Sequence, residues 1–458
     1  MSEIVSKRSK LKVRLSFEGI LVGIFTGIII AAFRFLIDEA DIYRPLWFEF
    51  LKSSQNILLY ILTIVVLISV AYIIAKFIEI DKQIAGSGVP QIKGILQGRM
   101  HMMRPLRLIV MKIFAAVIAI SAGMSLGRAG LSVQFGACIG DIFNKILGRH
   151  HLHDSTTGTI EGKYLLTAGA GAGLAAIFNA PLAGVIFCVE ELHKKFSPEL
   201  LIVSMTAATS SSAVVGFVFG IRPVFETITP TFNHVPIIST YPTFEMIKSM
   251  PPIELTLCLI LLGTFVGILG SLFTKMLIVS LVVYDKIGLT GTKKFMIPLT
   301  MIAIIGLFMP EILGCGNLLV DDLLSHNFEL SMLILLYASK FLFTMICFGT
   351  NAPGGIFLPL LVLGALSGNI FANVGIINGL FGAEWTAMFI ILAMAAYFAA
   401  VVKSPITGAV LIMELTGNFY HLLALIIISS IAYLISDLCG GKPAYSALLE
   451  RSIATNSK

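Results

Sequence analysis

The chain has 458 residues, 57% of them hydrophobic and only 13% charged, with a mean hydropathy of +0.93. That balance lies outside the range of soluble globular domains and excludes a protein whose main solvent is water. The net charge of +6 reads as membrane orientation and not as nucleic-acid binding, because five basic residues, Lys7, Arg8, Lys10, Lys12 and Arg14, stand just before the first apolar run. By the positive-inside rule they place the N-terminus in the cytoplasm.

In chain order the apolar runs are Gly19 to Phe33, Ile57 to Ala75, Leu108 to Leu126, Tyr164 to Val189, Leu255 to Thr274, Phe295 to Pro310, Phe341 to Ala383, Trp385 to Val402 and Leu415 to Ser436. About twenty apolar residues cross a hydrocarbon core as a helix, so at least nine membrane elements are expected. The uncharged stretch from Phe341 to Ala383 is too long for one crossing and is rich in Gly and Pro; it must turn inside the membrane. The first run is not read as a cleavable leader, since spans continue throughout and no small-residue cleavage site follows it. Lys442 and Arg451 put the C-terminal tail on the cytoplasmic side as well.

The cluster His150, His151 and His153 lacks a Cys or carboxylate at a familiar ligand spacing, so it reads as a solvated connecting loop and not as a metal site. Six cysteines, Cys138, Cys188, Cys258, Cys315, Cys347 and Cys439, stand apart among apolar neighbours and read as buried reduced thiols. The run Gly169 to Ala175 has the look of a dinucleotide loop, but inside a membrane segment its small residues are better explained by close helix packing. Asp321 and Asp322 raise an intramembrane enzyme as a rival class. A second acidic motif is missing, with no His-Glu-x-x-His and no activated Ser, so no enzymatic activity and no cofactor are expected.

An internal repeat organises the whole. Ala175, Ala176, Pro181, Gly184 and Glu190 recur as Ala399, Ala400, Pro405, Gly408 and Glu414, each 224 residues on; Gly127, Gly136 and Gly140 recur as Gly355, Gly364 and Gly368, each 228 residues on. The two halves span 17–220 and 250–452, after a basic segment at 1–16 and joined by 221–249. The recurrence of Glu190 and Glu414 points to structural hydrogen bonding. Paired, Gly/Pro-interrupted hydrophobic segments in two halves are the pattern of repeat-built transporters, with substrate held where helices are broken. A helix N-terminus carries unpaired N–H groups and about half a positive charge, which holds an anion without a full counter-charge. Gly86 to Pro90, Gly127 to Leu131 and Gly355 to Pro359 have the form of such starts, with glycines that admit close approach.

At these residues the chain resembles the CLC family of chloride channels and transporters. Gly86-Ser-Gly-Val-Pro90, Gly355-Ile-Phe-Leu-Pro359 and Gly440-Gly-Lys-Pro-Ala-Tyr445 are similar in order and spacing to three of its signatures, and the likeness covers about 17 to 452. The resemblance implies an all-α membrane fold of two inverted-topology repeats with broken, re-entrant helices. It implies a homodimer with a separate pore per subunit, in the cell membrane of a prokaryote with both termini cytoplasmic. It assigns Ser87 and Tyr445 as chloride-coordinating hydroxyls, and Ile356 and Phe357 as backbone N–H donors. Such donors suit a halide, which only accepts hydrogen bonds. Lys112 matches a basic position, read either as raising the local potential or as a snorkelling Lys near a helix end. With the sequence ending soon after Tyr445, no cytosolic regulatory domain is expected.

The departure is at Gly127-Arg128-Ala129-Gly130-Leu131. The family's third signature carries a Glu where Ala129 stands, and that Glu gates the outer anion site and carries a proton in exchangers. Leu131 also replaces a Pro, and two changes favour natural variation. Arg128 either lends positive potential to the pore mouth or pairs with a carboxylate. Glu191 matches the family's inner proton-transfer Glu. With no partner at Ala129, and with His193, Lys194 and Lys195 beside it, the balance falls toward a solvated surface charge. The expected function is passive chloride transport across the bilayer. The alternatives are a chloride/proton antiporter using Glu191 and another acid and, further off, a fluoride-selective relative.

Overall fold

The structure, a computed structural model, describes residues 2–101, 104–148, 160–221, 224–225, 231–232, 235–236 and 252–456. The first half begins with α1 (Ser2–Ser54) and α2 (Ile57–Ile80), the second of them capped by Asn56, which accepts from the Leu58 N–H at 3.0 Å. Next come α3 (Val89–Leu96), α4 (Pro105–Ser121), α5 (Ala129–Ile146), α6 (Ile160–Phe178), α7 (Pro181–Phe187) with a π-helical turn over Cys188–His193, and α8 (Pro198–Phe219). The second half repeats the order as α9 (Pro252–Ile287), α10 (Thr292–Phe308), α11 (Asn317–Ser325), α12 (Leu330–Gly349), α13 (Phe357–Ile377), α14 (Thr386–Val402), α15 (Pro405–Thr416) and α16 (Leu422–Leu438); α17 (Ala444–Asn456) closes the chain. The basic start is therefore continuous with the first span, not a separate segment. A two-residue antiparallel pairing, Thr231–Phe232 with Val235–Pro236, is a small exception to the all-helical expectation. Most of 221–249 lies outside the described residues, as does the histidine cluster at 150–153.

Among the described residues eight helices are long and apolar enough to cross a membrane, against the nine or more expected. The runs at 108–126 and 295–310 became α4 and α10, of 17 residues each, or about 26 Å at 1.5 Å per residue, short of a 30 Å core. The run at 164–189 is broken at Asn179, which takes a left-handed φ of 51° between α6 and α7. The long run from 341 turns over residues 350–356 between α12 and α13, as its glycines and prolines require. Helix α14 is apolar all round and buried from Ala387 to Val402, as a central helix must be. By contrast α2 exposes Leu58, Ile61, Leu62, Val65 and Val66, an apolar face suited to a surrounding other than water.

The repeats meet through their own mates. Gly127 and Gly355 form an antiparallel bridge, each N–H donating to the other's carbonyl at 2.6 and 2.7 Å, so a segment pairs with its copy running the opposite way. The same relation appears at the carboxylates. Glu190 accepts from the N–H groups of Ile406 and Thr407 at 3.1 and 2.7 Å, at the start of α15. Glu414 accepts from those of Leu182 and Ala183 at 3.0 and 2.7 Å, at the start of α7. Each half thus caps a helix of the other, where the first N–H groups have no partner of their own.

The glycine run of α6 is a packing surface, as its small residues predict. A Cβ on Gly173 would stand 2.0 Å from the Ser132 carbonyl, and one on Gly136 of α5 1.9 Å from the Gly169 carbonyl. Four of the six cysteines are buried, but Cys258 is half-buried and Cys439 is exposed. Cys439 ends α16 just before the Gly440 turn, and apolar neighbours in sequence do not bury a residue at a helix end.

Candidate functional site

Three helix starts converge. Asp81 accepts from the Gln83 N–H at 2.9 Å and closes a 3-10 turn over Lys82–Ile84. Gly86 and Gly88, with φ of 71° and 94°, then swing the chain into α3. Gly86 donates to the Asn351 carbonyl at 3.1 Å, which ties this loop to the turn before α13. A Cβ on Gly130 would lie 2.7 Å from the Ser87 carbonyl, and one on Gly127 2.9 Å from the Leu358 nitrogen. The starts of α3, α5 and α13 are thereby held against one another with only glycine between them. Ile356 caps α13 and Phe357 opens it, so their N–H groups have no acceptor above them in the helix. Phe357 is wedged between Phe178 and Phe398, with ring centroids at 5.2 and 4.7 Å.

Ser87 and Tyr445 both carry buried hydroxyls without a hydrogen-bond partner in the protein. Thr26, Ser204, Ser212 and Ser429 share that property on α1, α8 and α16, but among the described residues only Ser87 and Tyr445 of this set stand at helix N-termini. An unsatisfied buried hydroxyl is costly, and a small anion is the ligand that two O–H donors beside helix starts can take. Replacing both, as Ser87→Ala with Tyr445→Phe, is expected to weaken chloride binding by about 1–3 kcal/mol in total while the protein stays folded. Calorimetric titration gives the value; wild-type affinity in the double variant would put the ion elsewhere. From Ser87 a cavity of about 420 Å³ opens past Pro90, Gln91 and Asn351 toward Lys82, Lys294 and the ion pair of Arg451 with Asp285, a lining of net positive charge that favours anions.

The outer position is set by α5. Ala129 is its first residue and is fully buried, Gly130 packs on the Ser87 loop, and Leu131 is buried behind it. Arg128 is buried and ion-paired with Asp38, which also accepts from Arg34 at 3.2 Å. Of the two readings open for Arg128, the geometry takes pairing with a carboxylate. Lys112 is not a snorkelling residue: it lies inside α4, fully buried, donating to the Gln134 side chain at 2.6 Å and weakly to the Gln83 carbonyl at 3.4 Å. It braces the loop that carries Ser87.

Glu191 overturns the expectation of a solvated charge. It is buried in the π-helical turn, with its carboxylate 2.5 Å from Lys93 Nζ and 3.5 Å from the Ser404 hydroxyl. Lys93 itself was missed; its signal was a lone cation within Val89–Leu96. Lys340 was missed too, although it stands 228 residues after Lys112. It is equally buried and donates to the carbonyls of Ile312 and Gly314 at 2.8 and 3.0 Å. The loop it braces, Gly314-Cys315-Gly316, is the repeat mate of Gly86-Ser87-Gly88 and has nearly the same glycine φ values, 65° and 90°.

Comparison with known proteins bears on the family and the fold. The family model described as voltage gated chloride channel matches residues 64–437. A H(+)/Cl(-) exchange transporter ClcA of Vibrio vulnificus is 34% identical over 445 residues, covering 95% of this chain and 89% of the relative. One from Cronobacter sakazakii is 31% identical, covering 98% and 91%. Among solved structures, a slow cyanobacterial Cl−/H+ antiporter superposes with a TM-score of 0.84 at 26% identity, over 97% of this chain and 99% of that one. A CLC-type fluoride/proton antiporter at 20% identity and TM-score 0.70, over 93% and 96%, shares the fold. With its broken helices meeting at Ser87, Gly130 and Phe357, and a family match over most of its length, the chain belongs to the voltage gated chloride channel family, CLC.

Proposed function

We propose that the protein carries chloride across a prokaryotic cell membrane, holding it between the hydroxyls of Ser87 and Tyr445 and the N–H groups of Ile356 and Phe357, and that it does so without tight coupling to protons. It acts as a homodimer with one pathway per subunit and both termini in the cytoplasm, and not as an enzyme. The observation that carries the uncoupled reading is the methyl group of Ala129, buried at the first position of α5. A methyl neither competes with chloride for the helix N-terminus nor takes up a proton.

A second reading, chloride/proton exchange, has its own support, and the comparisons lean toward it. The relatives at 31–34% identity are named as exchange transporters, and Glu191 is buried on Lys93, which also bonds Ser446 beside Tyr445, and not in solvent. Exchange here would need an acid nearer the outer end. The carboxylates closest in charge to Arg128 are Asp38 and Asp41, which Arg128, Arg34 and Arg44 already hold.

Liposomes with chloride and pH electrodes separate the two. Under the uncoupled reading, the purified protein dissipates a chloride gradient when a potassium ionophore balances charge, with no uphill proton movement. Sustained proton uptake driven by chloride would replace it with the exchange reading.

A further inference from the structure

The ion pair between Lys93 and Glu191 lies where three elements of the inner site meet. Lys93 is on α3, one and a half turns after Ser87. Its ammonium is shared between the Glu191 carboxylate at 2.5 Å and the hydroxyl of Ser446 at 2.8 Å. Ser446 follows Tyr445 in α17, and Glu191 in turn is 3.5 Å from Ser404, which precedes α15. Both charged side chains are buried, at 2% and 1% exposure. An isolated charge so deep would be costly, and the pair is tolerable only because each cancels the other. The remaining charged group near the carboxylate is Lys194, at the end of the π-helical turn; Glu190 is taken up by the start of α15.

Through Lys93, Glu191 is joined to Ser446, the neighbour of Tyr445 in α17, so an uncompensated carboxylate there would repel chloride from the hydroxyl that binds it. We propose that Lys93 is a positioning residue of chloride transport: it ties α3, α17 and the Glu191 turn together and cancels the Glu191 charge beside Tyr445, which keeps chloride binding independent of pH. The inference rests on the chloride site proposed above and deepens it.

Chloride titration calorimetry on the full purified chain at pH 5 and pH 8 tests it. Wild type and Lys93→Arg bind equally at both values. In Lys93→Gln the carboxylate loses its main cation but keeps the Ser404 hydroxyl and Lys194 beside it, so it is charged at the higher pH and takes up a proton as the pH falls. Chloride then binds about tenfold more weakly at pH 8 than at pH 5, the scale expected for one unpaired charge near the site at an effective dielectric of about 20. Adding Glu191→Gln to Lys93→Gln abolishes that pH dependence. A Lys93→Gln protein with wild-type affinity at both pH values overturns the proposal. So does one whose pH dependence survives in the double variant. If Lys93→Gln does not fold, Glu191→Gln alone serves: it leaves Lys93 unpaired and tightens binding several-fold, and an unchanged affinity overturns the proposal. Absence of chloride binding in wild type would instead defeat the site itself.

Discussion

Ala129→Glu slows chloride efflux from liposomes at pH 7.5 by about 30-fold, the factor that matches ~2 kcal/mol of attraction between a carboxylate and a partly buried helix N-terminus. The new side chain starts at the first residue of α5, where the N–H groups that draw in chloride draw in its own carboxylate. A Glu ordinarily titrates near pH 4.3, so the carboxylate is charged and the slowing is at its full extent at neutral pH, and the slowing lessens as the pH falls toward that range, because a protonated Glu no longer competes as an anion. Efflux at pH 4.5 and pH 7.5 for both proteins is the comparison. Proton coupling is not part of the expectation, since Leu131 still stands where the family has Pro. A variant that conducts like the parent at both values, while folded, would show that position 129 does not face the anion path.

Gly136→Val abolishes transport by a different route. Its Cβ would stand 1.9 Å from the Gly169 carbonyl and 3.1 Å from the Gly173 nitrogen. Both are backbone atoms of α6, which cannot swing aside as a side-chain tip can. Helices α5 and α6 must therefore separate, and α5 carries Ala129 and Gly130 at its start. Overpacking of this kind costs about 3 kcal/mol or more, expected as a large fall in thermal unfolding temperature in detergent together with loss of chloride flux. Gly216→Ala is the control, because its added carbon meets only the Ile221 side chain at 3.4 Å. Equal stability of Gly136→Val and Gly216→Ala would mean that α5 and α6 do not pack through glycine.

What the chain disclosed in advance follows from how local each signal is. Broken helices announce themselves through Gly and Pro within a few residues, and the repeat through matching residues at a fixed interval. The convergence at Ser87, Gly130 and Phe357, and the hydrogen-bonding role of Glu190 and Glu414, were accordingly readable. Glu191 was misread because its sequence neighbours, His193, Lys194 and Lys195, imply solvent, whereas its partner Lys93 lies 98 residues away. Arg128 stayed undecided for the same reason: Asp38 is 90 residues distant. A lone lysine in an apolar run looks alike whether it reaches water or, as with Lys112, turns inward to Gln134. Lys340 was recoverable, since the repeat interval applied to Lys112 lands on it.

The exchange of carboxylates between the halves has a consequence for how such a chain is put together. Neither half is chemically complete: alone, each would hold a helix start lacking its acceptor and a Glu lacking its donors. Because the two deficits are the same deficit, two copies of either half could answer each other just as the two halves do, in the self-complementary manner of a symmetric dimer interface. The covalent joining of the halves thus preserves, within one polypeptide, a contact whose logic is that of two identical subunits. The 228-residue kinship of Gly127 and Gly355 is the same handshake written in backbone.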